Sequence, residues 1–325
     1  MLVTGCSPSA VQFAPPTIQP ATPAVSPPVS QRPAGSVRPL AGHPQAAMFD
    51  ERTRRLAVLT PGAHPAAPAR LVVLGAGATS PIIVDLPGPA TAVTGDGAGN
   101  AYLSIRGGYL VVDLSAGHVT RVGVADAGDT TFTAIARRVD GTVALGNADG
   151  VVYLLGSGPS TTTRTKVVTR VDSLAAQGNT VVVLDRGQTS VTTIGADGRV
   201  GQALRAGRGA TTMAADPAGR VLVADTRGGQ LLVFGVDPLI LRQAYPVRQD
   251  PYGLAGSRRL TWVSQTAANM VIGYDLSTGI PVERVRYPTV RQPDSLAFDD
   301  ASGTLYVVSG SGDGLQVIDH AAGGR

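Results

Sequence analysis

Apolar and polar positions repeat along most of this chain. Similar blocks begin at residues 46, 91, 133, 173, 212, 253 and 295, spaced 39 to 45 residues apart. One reads "SLAFDDASGTLYVVS" from Ser295, another "TMAADPAGRVLVAD" from Thr212, a third "SLAAQGNTVVVLD" from Ser173. Each opens on small apolar residues, passes a Gly, Asp or Asn turn, and continues into a strand such as "TLYVVS". After a second turn comes a third strand, such as "YLVVDL" or "QLLVFG", and a more polar fourth, such as "HVTRVGV" or "PVERVRYP", closes six of the blocks. Short apolar runs bounded by turn residues read as strands. Four of them per repeat of this length make one propeller blade.

The pattern therefore predicts an all-β, seven-bladed β-propeller over residues 36–325. The seventh block stops at Arg325 without a fourth strand, and "SVRPL", Ser36 to Leu40, precedes the first block with no blade of its own. Pairing "SVRPL" with "LQVID" completes blade seven, closes the ring and removes two free sheet edges. Successive strands alternate direction, so Ser36 is expected on the lower face, opposite the loops that lead into the inner strands. A tether leaving there would let the upper face point away from a membrane.

Composition agrees with this architecture. Hydrophobic residues make up 43% and charged residues 15%, while 41 glycines and 24 prolines supply many turns. Aromatics are only 4%, so Val, Leu, Ile and Ala must form the core. The net charge is +4, carried by arginines with Lys166 the one lysine. No basic run suggests nucleic acid, and no apolar stretch is long enough for a membrane-spanning helix.

The N-terminus changes the picture. Val3-Thr4-Gly5-Cys6 holds the one cysteine of the chain. It resembles the lipobox of bacterial lipoproteins, which implies diacylglycerol on the Cys6 thiol and cleavage just before it. Residues 1–6 then end a signal peptide whose charged and apolar parts are expected upstream of Met1. Ser7 to Gly35 has eight prolines and no acidic residue, and reads as a disordered, polyproline-biased tether.

The repeats resemble NHL and YVTN (YncE-like) propellers. "MAADPAGRVLVADTRGGQLLVF" is similar to the first kind, "YDLSTGIPVERV" and "LAFDDASGTLYVVSGSGDGLQVID" to the second. "RGQTSVTTIGADG", "RQAYPVRQ" and "QTAANMVIGYDLSTGIPVE" carry a likeness to the mycobacterial LppL-type conserved lipoproteins. That resemblance implies an envelope lipoprotein and no particular activity.

Candidate chemistry gathers on the upper face. Loops into the inner strands supply Arg170, Asp172, Arg205, Arg248, Arg291 and Asp294, and second-to-third turns supply Arg106, Arg186 and Arg227. Guanidinium forks around a channel mouth suit carboxylate or phosphate groups. Arginines also crowd the lower face, among them Arg258 and Arg259. Asp172 and Asp294 either bind a cation or cap loop amides.

Catalysis is thinly supplied. There are two glutamates, Glu51 and Glu283, no nucleophile elbow and no calcium loop. The expected function is a lipid-anchored, extracytoplasmic binding or scaffold module, monomeric, needing no cofactor. It would meet the membrane through Cys6, and an envelope protein or small anionic ligand through its surface. Two alternatives stay open: a metal-dependent propeller hydrolase or lactonase using Asp172, Asp294 and Asn269, and an accessory subunit of an envelope complex.

Overall fold

The computed structural model describes residues 16–75, 80–156 and 162–323. Its strands form seven four-stranded antiparallel sheets. The inner strands are Ala46–Asp50, Val93–Gly95, Phe132–Arg137, Ser173–Gln177, Ala210–Asp216, Pro251–Gly256 and Pro293–Asp299, which head blades one to seven. Each inner strand touches the next, and that of blade seven touches that of blade one, so the ring is closed.

Small residues make this convergence possible. A Cβ on Gly256 would stand 2.7 Å from the Asp216 Cα of the neighbouring blade. The first hydroxyl of a block often bonds the next inner strand or the loop just before it: Thr91 Oγ1 donates to the Phe132 carbonyl at 2.6 Å, and Thr133 Oγ1 to the Val171 carbonyl, two residues ahead of its strand, at 2.5 Å. Thr212 Oγ1 donates likewise to the Tyr252 carbonyl.

The core lies between blades. Leu59, Leu71 and Val73 of blade one pack on Leu103, Leu110 and Val112 of blade two. Trp262 of blade six stacks on Phe298 of blade seven at 5.4 Å. Apolar area removed from water, at about 25 cal/mol per Å², drives this docking. On the lower face, buried carboxylates link neighbours: Asp50 accepts the Gly99 amide at 3.0 Å, and Asp299 pairs with Arg54 at 2.5 Å.

Blade seven is finished from the N-terminus. Ser36–Arg38 pairs antiparallel with Leu315–Ile318, placing Ser36 opposite Val317 and Arg38 opposite Leu315. Ser36 thus starts toward the lower face. Gly35 turns the chain into this strand with φ of 70°, and a Cβ there would lie 2.1 Å from the Val317 carbonyl oxygen.

The segment ahead of Gly35 differs from the expected disordered tether. Residues 16–35 lie against the propeller. They climb between blades six and seven, where the Ala34 amide donates to the Pro288 carbonyl at 3.0 Å, and then cross the upper face as a strap. The Ile18 amide donates to the Gly187 carbonyl at 2.7 Å. The chain therefore leaves from the upper face over blade four, not from the lower face. The reason is main-chain bonding: the strap's carbonyls find donors on four blades, as described below. Cys6 and residues 7–15 lie outside the described residues.

Candidate functional site at the channel mouth

Polar side chains at the ends of second strands hold the upper loops rigid. Asp185 accepts the Thr169 and Arg170 amides at 3.0 Å and the Gln188 amide at 2.8 Å. Asp225 does the same for Arg208, Gly209 and Gly228 at 2.9, 2.8 and 2.9 Å. Both carboxylates are fully buried. Each clamp joins a second-to-third turn to the loop before an inner strand, which fixes the arginines those segments carry. The clamps have a visible signal, the aspartate ending "VVVLD" and "VLVAD".

The central channel encloses about 490 Å³, and Asp172, Arg186, Tyr252 and Asp294 line its mouth. Asp172 accepts the Arg186 amide at 2.8 Å and the Arg170 Nε at 2.9 Å. It is a loop cap and an ion-pair partner. Asp294 accepts only from Gln292 Nε2 among the described residues, at 3.0 Å. Burial pushes its carboxyl up to about 6. Burial also raises the Tyr252 phenol; the Asp294 charge adds to that rise and the Arg186 charge opposes it.

The arginines do not form one ring of open forks. Arg106 pairs with Asp129 at 2.5 Å on the exposed rim, a contact worth little in water. Arg205 Nε donates to the Gly207 carbonyl at 2.9 Å. Arg248 lends its carbonyl to Gln265 Nε2 at 2.7 Å, and Arg291 lends its own to Ser309 Oγ at 2.7 Å. Arg186 and Arg227 instead turn to the strap.

Four blades grip that strap. Arg227 Nη2 donates to the Gln19 carbonyl at 2.7 Å, and Arg186 Nη2 to the Ala21 carbonyl. Gln292 Nε2 donates to the Ala24 carbonyl at 3.1 Å, and Asn269 Nδ2 to the Pro27 carbonyl at 2.8 Å. Ser26 is seated most firmly: its Oγ donates to the Thr266 carbonyl at 2.6 Å, and its amide donates to Gln292 Oε1 at 3.0 Å. Ala21 and Ser26 are buried, at 6% and 3% exposure. Gln292 and Tyr252 carry no motif that marks them in the sequence. Gln292 adopts a φ of 50°, which only the folded loop reveals.

Among the described residues, no group of three or more His, Cys, Asp or Glu side chains is placed to hold a metal ion. Among the same residues, no helix is long and apolar enough to cross a membrane.

The fold and this mouth define a seven-bladed β-propeller with a strapped upper face. No family model and no curated protein matches the chain. Solved structures share the fold. A chain of a mitotic checkpoint complex aligns with TM-score 0.71 and 10% identity, covering 93% of this chain and 98% of that one. A streptogramin B lyase aligns with TM-score 0.68 and 10% identity, covering 88% and 96%. Hydrazine synthase of Kuenenia stuttgartiensis aligns with TM-score 0.68 and 15% identity, covering 90% and 99%. At such identities the likeness shows the fold alone.

Proposed function

We propose that this protein is a lipid-anchored, extracytoplasmic binding module of the cell envelope, held through Cys6 and working through its upper face. The "VTGC" motif supports the anchor. One observation carries the binding role: Arg186, Arg227, Asn269 and Gln292, fixed on four different blades, converge on the main chain of an extended segment. Donors preorganised on a rigid scaffold are what a recognition surface requires.

The strap supports one orientation of the anchored molecule. Ten residue steps separate Cys6 from Pro16, a reach of at most roughly 35 Å. With the strap seated, that short reach favours an anchored molecule whose upper face is turned toward the bilayer, the reverse of the orientation expected from Ser36 alone.

The hydrolase reading gains little from the mouth. Both oxygens of Asp172 already accept protein donors, Arg186 N and Arg170 Nε. An accessory role in an envelope complex would use the same upper face.

The test expresses the protein in bacteria with a complete signal peptide. The wild type should partition into detergent with acyl chains on Cys6, and Cys6→Ala should lack them. A soluble wild type with a free thiol contradicts the anchor.

A further inference from the structure

We propose that the upper face is a recognition track for extended, proline-rich polypeptide with small residues at its buried seats, and that residues 16–31 occupy it in cis as an exchangeable stand-in for a segment of another protein. The inference rests on reading the upper face as the binding surface and names the chemistry of its partner.

The contacts define the ligand class. The carbonyls of Gln19, Ala21, Ala24 and Pro27 accept one side-chain donor each. The strap amides of Ile18 and Ser26 donate in return. Pro20, Pro23 and Pro27 have no amide hydrogen to offer. The track therefore suits a chain rich in acceptors and poor in donors. At Ala21 the strap lies close against the propeller: a Cβ on Gly209 would stand 3.2 Å from the Ala21 Cβ, and Ala21 and Ser26, the two buried strap residues, both carry small side chains. Proline spacing keeps such a chain extended beforehand, which lowers the entropy cost of docking.

The same contacts make the strap exchangeable. It pairs with no strand before Ser36, and outside Ala21 and Ser26 its residues are exposed or half-buried. Segments with few buried apolar contacts open well below the global unfolding free energy. A similar chain supplied in trans would meet the same donors.

The experiment uses a fluorescein-labelled peptide with the sequence of residues 16–31, "PTIQPATPAVSPPVSQ", and purified full-length protein, read by anisotropy. Ala21→Trp with Ser26→Leu ejects the strap while leaving every propeller residue intact. This variant should bind the probe at least tenfold more tightly than the wild type. Adding Gln292→Ala or Arg227→Ala should weaken binding about three- to tenfold, the scale of a lost hydrogen bond. A Gly/Ser peptide of equal length should bind at least tenfold more weakly. No gain in the double variant overturns the proposal. So does continued amide protection of its residues 16–31, because Ala21 and Ser26 would then not be the seats. Tightest binding by a glutamate-rich peptide overturns it too, in favour of an anion site. The assay contains no membrane, so its failure is separable from failure of the lipid anchor.

Discussion

Gln292 and Ser26, 266 residues apart, bond each other reciprocally. The Ser26 amide donates to Gln292 Oε1 at 3.0 Å, and the Gln292 amide donates to Ser26 Oγ at 2.8 Å. Gln292 Nε2 meanwhile reaches both the Ala24 carbonyl and Asp294 Oδ1. A single side chain thus joins the strap to a half-buried carboxyl at the channel mouth. The strap is part of the site it crosses.

Ring closure depends on the turn at Gly35. A Cβ there would meet the Val317 carbonyl oxygen at 2.1 Å, and φ is 70°. Gly35→Val should cost about 2–3 kcal/mol in urea unfolding, through backbone strain and loosened pairing of Ser36–Arg38. An unchanged midpoint would show that this strand does not close the propeller.

The buried clamp in blade five should dominate local stability. Asp225→Ala orphans the amides of Arg208, Gly209 and Gly228. With unsatisfied buried groups at about 1–3 kcal/mol each, partly relieved by water, the loss should be about 3 kcal/mol. Arg205→Ala on the exposed rim should change stability by less than about 0.5 kcal/mol. Comparable losses for the two variants would contradict the clamp.

Asp294 gives stability a pH dependence of unusual sign for an aspartate. Its folded pKa is raised from 3.8 to about 6 by burial. The folded state therefore holds the proton more tightly than the unfolded chain. This contribution is complete below the ordinary aspartate value and is lost as pH rises through about 6. With partial solvent access the swing should be about 1–3 kcal/mol. Asp294→Asn, neutral throughout, should remove it. Urea unfolding of both proteins between pH 4 and 7 tests this, and parallel curves would refute it.

The two faces should differ in cells. Arg186→Ala with Arg227→Ala should reduce capture of crosslinked envelope partners severalfold. Arg258→Ala with Arg259→Ala, on the exposed lower face, should not. Loss from the second pair alone would move the functional surface to the lower face.

The propeller was legible because its side chains repeat. Inner strands need small residues, as at Gly256, and an unfinished seventh block needs "SVRPL". Arg186 and Arg227 were visible from their equivalent places before Gly187 and Gly228. The strap was not legible. Apart from the Ser26 hydroxyl, what holds it is main chain, above all the carbonyls of Gln19, Ala21, Ala24 and Pro27, and a carbonyl has no side-chain signature. A proline-rich segment without acidic residues reads as a free tether until its partners stand beside it. The importance of Gln292 was hidden for a related reason: its left-handed backbone, φ of 50°, aims both amide and side chain at the strap.

The most direct measurement is amide hydrogen exchange across residues 16–31 of the full chain at neutral pH. The Ile18 amide is bonded to the Gly187 carbonyl at 2.7 Å and the Ser26 amide to Gln292 Oε1 at 3.0 Å. Both should exchange about tenfold to a hundredfold more slowly than in an unfolded peptide, and Gln292→Ala should erase the protection at Ser26. Exchange of both amides at the unfolded rate in the wild type would contradict an upper face that holds an extended chain.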